Sequence, residues 1–580
     1  VGAGRRPRRG DFDHPFVKSS KGWKKESETS LRQGNIRFIM KRATWVSITV
    51  VAVGLAILLS TANLFLGSLN QDEGWYLYAA KQITQGQVLY RDFMFTQGPA
   101  LPYIYGVLFP IIGKLGVAGG RLITALFGLA AAGCAAWLAA RAVSSKHWKA
   151  AALCAFILAG VNVYQSYFTV IVKTYALCAF FLTAGFVALS YTNGRRGASA
   201  AFWGGFLLAL AACTRLSAGI ALPVAGLWLL WNSKKVSPLS WIAFGIGGSF
   251  ILLIGLGTFF LMAPENTEFA LFGYHAGRSP GSLTQLIALK AGFISRFVQA
   301  YFVFSAGLLL TFALKRLNWP VRERGFEEMT LDSRPKLIEL MREANAKRTP
   351  FARSFISLLW FSGAMITLIH FLAPFPYDDY QVIVYPLLAA ALAVTLAPHC
   401  PERQQLRAVF AILAICTAAS FSSPINQDWL IRGRDRIWWK FKEMPDLAAL
   451  EKVGAELREK LGENGLLLTQ DTYLAIEAGA NVPHGMEMGP FCYYPDMPRD
   501  RAEKLNLLNE EMMMETLAQA RAPVAAFSGY GLTIRSPEIA EISSNDWKTL
   551  RTVLESVYTK TAEVPNFGQA STTLEVFERR

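Results

Sequence analysis

Acidic side chains are nearly absent from the middle of the sequence. Between Ala43 and Leu314 only Asp72, Glu73, Asp92, Glu265 and Glu268 occur, and between Ser354 and Pro401 only Asp378 and Asp379. Charged residues of either sign make up 17% of the 580 residues, against 52% hydrophobic. Uncharged runs stand in their place: Trp45 to Leu69 carries no charge, where about 20 residues suffice to cross a bilayer. Such runs recur as far as Ser423, which excludes an ordinary soluble multidomain protein. The seven cysteines form neither a disulfide framework nor a zinc spacing. Cys134, Cys154, Cys178, Cys213 and Cys416 fall in apolar runs, where cysteine acts as a small hydrophobe. The first apolar run lacks a small-residue cleavage site, so it reads as a retained anchor and not a signal peptide. No internal repeat of the transporter kind is visible, nor an acid at mid-membrane depth.

What charge there is points to a membrane. The formal net charge is +16, yet residues 1–45 hold 12 Lys+Arg against 4 Asp+Glu, while residues 424–580 hold 18 against 24. A basic start and an acidic end fit opposite sides of a bilayer and argue against a nucleic-acid partner. Short basic loops at Arg141/Lys146/Lys149, Arg195/Arg196, Lys234/Lys235, 315–353 and Arg403/Arg407 all fall on one side, taken as cytoplasmic. The expected fold class is therefore an α-helical polytopic membrane protein with about eleven transmembrane helices. The spans after the first are expected near 117–140, 148–165, 171–191, 199–214, 216–232, 238–262, 291–314, 354–373, 380–397 and 406–423.

Three parts follow. Residues 1–43 read as a basic cytoplasmic arm without fixed structure, or as an over-long gene start before Met40. Residues 44–423 form the transmembrane domain, with a first outer loop at 70–120. Residues 424–580 read as a small extracytoplasmic α/β domain, with helices at Asp446–Leu461 and Arg501–Ala520 and strands at Gly465–Thr469 and Val524–Ser528. Multi-pass insertion in the cell (inner) membrane, with a cytoplasmic N-terminus, is the expected localisation.

By this topology all seven acids lie outside. In the first outer loop Asp72 to Gln85 forms a short amphipathic helix that Gly86 ends, and Pro99 starts a second, both at the interface. Outer cations are few: Lys81, Arg91, Lys114, Arg121, Lys173, Arg215, Arg278, Lys290 and Arg296. Lys173 and Arg215 stand at the outer ends of apolar helices, where they either snorkel to headgroups or meet a bound phosphate. Opposite the Asp72–Glu73 pair they make an anion site facing a base. A carboxylate takes the proton from an attacking hydroxyl while cations stabilise a departing phosphate, which suits transfer from a lipid-linked phosphate.

The stretches Asp72-Glu73-Gly74-Trp75-Tyr76, Gly86-Gln87-Val88-Leu89-Tyr90-Arg91-Asp92-Phe93 and Gly98-Pro99-Ala100-Leu101-Pro102-Tyr103-Ile104-Tyr105 resemble the first outer loop of the GT-C glycosyltransferases. The nearest branch is the protein O-mannosyltransferase and aminoarabinose-transferase-like one. His370, Pro376-Tyr377-Asp378-Asp379-Tyr380 and Tyr385-Pro386 are similar to its late outer loop. The resemblance covers about 44–423 and implies an inverting enzyme that passes a hexosyl or pentosyl group from a polyprenyl-phosphate donor to an acceptor outside the cytoplasm. It implies Asp72 as catalytic base and Glu73 beside it, orienting the acceptor or a cation. Tyr76, Arg91, Asp92, Lys173, Arg215, Tyr377 and Tyr380 are the implied substrate-binding residues.

Two departures matter. The next outer segment, Asn162 to Lys173, has no acid, so no divalent metal is expected to be obligatory and no metal ligands are assigned. A family lysine is replaced at Thr96-Gln97-Gly98, which leaves phosphate contact to Arg91, Lys173 or Arg215. In the outer domain, Asp471-Thr472-Tyr473 and Met486 to Tyr494 read as core or lid packing, with sugar stacking as the alternative. His370 and His484 read as structural. A transporter or flippase of a lipid-linked sugar, and a non-catalytic envelope scaffold, are the competing readings. The acceptor is left open among protein, lipid and polysaccharide.

Overall fold

The computed structural model describes residues 20–237, 239–278, 281–317, 350–421, 444–462, 465–529, 531–536, 538–569 and 571–580. Most of the charged loop expected at 315–353, the first 19 residues of the arm and the start of the outer domain at 424–443 lie outside these. By internal contacts the chain divides into residues 1–51 and residues 52–580. In the first unit, helix α1 (Ser20–Leu66) begins well inside the arm expected to lack structure. Extending a formed helix costs far less than nucleating one, so the apolar segment carries the polar residues before it along.

The second unit is mostly helical. Helices α2 (Gln71–Thr84) and α3 (Ala100–Val107) lie within residues 70–120, where two short helices are expected. Then come α4 (Phe109–Arg141), α5 (Trp148–Gly160), α6 (Val163–Phe168), α7 (Thr174–Leu189) and α8 (Gly197–Thr214). Among the described residues six helices are long and apolar enough to cross a membrane, or seven if a pair bent by 46° counts as one span; four shorter apolar helices accompany them. That bent pair, Leu283–Ala300 and Phe302–Leu317, corrects the straight span expected at 291–314. The first half starts eight residues early because Ser282 caps it, its side chain accepting from Gln285 N.

The C-terminal part holds a four-stranded sheet, in the order β1-β2-β6-β5, from β1 (Leu467–Leu468), β2 (Val524–Phe527), β5 (Tyr558–Phe567) and β6 (Thr572–Arg579). β1 and β2 are parallel, the other pairs antiparallel. A separate short pair joins β3 (Ile534–Arg535) to β4 (Ala540–Glu541). The helix at Asp446–Leu461 and both expected strands are present. The single helix expected over Arg501–Ala520 is instead two, Arg499–Lys504 and Glu510–Gln519. Asn506 between them takes φ 54°, and Leu508 bridges to Tyr493, so this backbone leaves the helical path to bond elsewhere.

This C-terminal part grips α2. Leu69 N donates to Asp446 Oδ2 (3.1 Å), Val482 N to Tyr78 Oη (2.9 Å), and Lys81 Nζ to the carbonyls of Gly479 and Ala480. Gly74 lies against the backbone of Tyr473 so closely that a Cβ would collide with it. At Gly116 (φ 58°) α4 breaks, and the Glu477 carboxylate accepts from Val117 N (3.0 Å) at the restart. The negative charge there meets the positive end of the helix dipole.

Candidate active site

Asp72 and Glu73 stand in the first turn of α2, which Asn70 starts. The Asn70 side chain accepts from Asp72 N (3.1 Å) and Glu73 Oε2 accepts from Asn70 N (3.0 Å), a reciprocal cap. Successive residues on a helix diverge by about 100°, so the two carboxylates part company.

Glu73 goes inward. Its carboxylate takes both Nε (2.8 Å) and Nη2 (2.7 Å) of Arg121, and neither side chain is exposed. Arg121 also donates to the carbonyls of Leu64, Gly67 and Ser68, while Glu73 Oε1 accepts from Val172 N. One buried pair thus ties the end of α1, the start of α2, α4 and the strand-like segment before Lys173. Glu73 does not line the cavity described next.

Asp72 faces a cavity of about 290 Å³. Trp75 Nε1 donates to its Oδ1 (3.2 Å), and Lys173 Nζ lies 2.9 Å from its Oδ2. Lys173 is the N-cap of α7 and reaches, in the other direction, Asp379 Oδ2 at 3.2 Å. Asp379 belongs to the 3₁₀ turn Asp378–Ile383, more than two hundred residues away. Arg215, the C-cap of α8, donates to Thr174 Oγ1 (3.2 Å); its guanidinium lies 4.2 Å from the ring centre of Tyr380 and 5.1 Å from that of Tyr175. Arg278 donates to Tyr377 Oη (3.2 Å), while its buried Nε finds no hydrogen-bond partner.

The structure therefore brings Asp72, Tyr76, Lys173, Arg215, Tyr377 and Tyr380 to one cavity. Arg91 and Asp92 are elsewhere: they pair with each other (2.7 Å), with Arg91 half exposed, and line no part of it. Reasoning from sequence missed Asp379 as a partner of Lys173, and Tyr175, His275 and Arg278 as lining. Arg278 was visible as one of nine outer cations. Phe491 and Gln569 enter from the C-terminal part, and Gln569 Oε1 accepts from Gln71 N at the start of α2.

Behind Gln71 lies Asp471, fully enclosed. It accepts from Gln71 Nε2 (3.0 Å), Tyr473 Oη (3.0 Å), Ser528 N (2.8 Å) and Ser528 Oγ (2.9 Å). Burial pushes its carboxyl above the usual range, against the pull of those donors. It packs the C-terminal part onto α2 and does not reach the cavity, in line with the expected core role of this motif.

A second cavity of about 190 Å³ shares Arg215, His275, Arg278 and Tyr380 with the first and extends along Leu216, Leu271, Ile369 and Phe375. Two chambers, the first holding both Asp72 and Asp379 and the second without a carboxylate and more apolar, thus meet at two arginines. His370, expected to be structural, is buried and bonded to Ser217 Oγ (2.9 Å) and Gln381 (3.1 Å), and it also lines this second cavity. Among the described residues no group of three or more His, Cys, Asp or Glu could hold a metal ion.

No family model and no curated protein sequence matches the chain. Solved structures do. ArnT from Cupriavidus metallidurans in the apo state superposes with a TM-score of 0.56 at 13% identity, over 92% of this chain and 98% of that one. The same protein bound to undecaprenyl phosphate gives 0.54 at 13% identity, over 91% and 97%. A weaker match, at 0.44 and 14% identity over 84% and 70%, is the archaeal oligosaccharyltransferase AglB from Archaeoglobus fulgidus. The chain is an integral membrane protein that shares the fold of ArnT.

Proposed function

We propose that this GT-C-fold chain is an inverting glycosyltransferase that moves a sugar from a polyprenyl-phosphate carrier to a hydroxyl of an acceptor. The observation that carries this is one cavity in which Asp72 faces Arg215 and Arg278, the latter with an orphaned buried Nε. A buried donor without a partner is rare in folded proteins, and a phosphate oxygen would satisfy it. The apolar second chamber behind the arginines suits the first isoprene units. That ArnT binds undecaprenyl phosphate supports the carrier class.

In this reading the acceptor hydroxyl enters beside Asp72. As its oxygen bonds to the anomeric carbon, its proton passes to the Asp72 carboxylate. The bond from that carbon to the phosphate oxygen breaks on the opposite face, and the electron pair leaves with the lipid phosphate, held by Arg215 and Arg278. Attack and departure on opposite faces give inversion. Tyr76, Tyr377 and Tyr380 line the sugar's place, while Glu73 fixes the frame through Arg121. Arg91 and Asp92 lose their substrate role.

Counting the four shorter apolar helices and the bent pair as spans gives eleven crossings; the proposed orientation, from the basic loops of the sequence, has the N-terminus cytoplasmic and the C-terminal domain, about 424–580, outside. The membrane is then the cell (inner) membrane, and the acceptor a protein, lipid or polysaccharide of the envelope.

Mass spectrometry of surface glycans tests the function. Deleting the gene should remove one sugar residue from a defined glycan, and restoring the gene should return it; an unchanged glycan profile rejects a transferase. Arg215→Met should lower turnover by about 10²–10³-fold, the scale of removing one preorganised charge from a reaction centre. Isotope-labelled donor turnover in purified membranes measures it, and a change within threefold would clear Arg215 of that role.

A further inference from the structure

We propose that the Lys173 ammonium is the built-in cation of this centre, a positioning residue that holds Asp72 and Asp379 together in the place a divalent metal would otherwise take. Its Nζ lies 2.9 Å from Asp72 Oδ2 and 3.2 Å from Asp379 Oδ2, so one ammonium touches both carboxylates. The three side chains, Lys173, Asp72 and Asp379, are largely buried, at 7%, 26% and 10% exposure, where charges are little screened by salt. Two carboxylates this close repel unless a cation sits between them, and removing it favours protonation of one.

The lysine is held in place from its own backbone. Val172 N donates to Glu73 Oε1, so the residue before Lys173 is pinned to the residue after Asp72. The ammonium thus arrives at Asp72 by construction, from the start of α7. Two carboxylates with water completing the shell are enough to hold a magnesium-like ion, so what keeps a divalent ion from this place is the ammonium already lying 2.9 and 3.2 Å from the two carboxylates. Lysine is a compact point charge with three donors, able to serve two carboxylates from one atom.

The charge count adds a functional argument. One ammonium against two carboxylates leaves a net negative charge at the acceptor side, so Asp72 remains able to accept a proton. A divalent ion would cancel both charges. Arg215 and Arg278 line the same cavity and also the second one, where the proposed reading puts the phosphate. Cations are thereby divided between two tasks, one orienting the base and the other receiving the leaving group.

This inference rests on the transferase reading, and full-length protein in lipid nanodiscs separates the two. Wild-type turnover of a labelled polyprenyl-phosphate sugar should be unchanged by EDTA. Lys173→Ala should lose on the order of 10- to 100-fold, the range for groups that orient a reacting side chain, and should recover in part with ethylammonium or millimolar Mn²⁺. Electron paramagnetic resonance should find one Mn²⁺ bound to Lys173→Ala, and none at this site in the wild type or in Lys173→Ala/Asp379→Asn. A merely structural lysine would show neither rescue nor gained metal binding. EDTA-sensitive wild-type turnover, wild-type rates in Lys173→Ala, or a folded Lys173→Ala with neither rescue nor bound Mn²⁺ would overturn the inference. Absence of wild-type turnover would overturn the transferase reading instead, while the Mn²⁺ titration still decides what occupies the space between the carboxylates.

Discussion

Asp72→Asn is expected to lower sugar transfer by about 10²–10⁴-fold, the contribution typical of a positioned general base. The substitution keeps the shape and the hydrogen bond from Trp75 Nε1, and removes the ability to take the proton. It also takes one carboxylate from Lys173, which keeps Asp379 at 3.2 Å, so the local frame should survive. Donor affinity, measured by protection of the purified protein against thermal unfolding by polyprenyl phosphate, should change little, because Arg215 and Arg278 are untouched. Loss of rate with retained donor binding is the signature. Normal turnover in Asp72→Asn would mean that another group accepts the proton.

The second large effect concerns folding. Arg121→Leu should destabilise the outer end of the helical part by about 3–5 kcal/mol, because it leaves the Glu73 carboxylate buried and unpaired. The same change strands the carbonyls of Leu64, Gly67 and Ser68, which the guanidinium satisfies at 2.9, 3.0 and 3.1 Å. A thermal melt in nanodiscs measures the loss. Glu73→Gln/Arg121→Leu should recover part of it, since removing both charges is far less costly than removing one. If Arg121→Leu melts with the wild type, the pair contributes no net stability and Glu73 is open to a direct part in the reaction.

These two residues show what a sequence can and cannot disclose. Asp72 was legible because an acid following a 25-residue uncharged run has few bland explanations. The helix bearing it was legible too, since Asn70, the Asp72–Glu73 pair and Gly86 mark both ends. What separated the two acids was invisible: Arg121 is one of nine outer cations, and only folding reveals which of them enters the interior. The Lys173–Asp379 contact joins segments 206 residues apart, beyond any spacing rule. Arg91 and Asp92 looked like site residues because they share a motif with the neighbouring aromatics; being adjacent, they satisfy each other away from the cavity. The late outer loop supplied Tyr377 and Tyr380 correctly to the cavity, as far as lining goes, but its chemistry rests on Asp379.

The apolar pattern fixed most helices to within a few residues and failed where polar capping or backbone pairing intervened. Ser282 starts a helix early, and Asn506 stops one that periodicity would continue. Both are single-residue decisions set against a smooth hydrophobic signal, and the signal cannot resolve them.

The grip of the C-terminal part on α2 also has a bearing on the order of synthesis. Asp446, Asp471 and the carbonyls of Gly479 and Ala480 are made some 370 to 410 residues after the helix they hold. A ribosome that has already threaded the last apolar helix has therefore delivered every cavity-lining cation but not the partners that steady the base. Until that part is made, the start of α2 lacks its bonds to Asp446, Asp471 and the carbonyls of Gly479 and Ala480. On the proposed reading, a chain stopped before Asp446 should insert its apolar helices and yet show no sugar transfer.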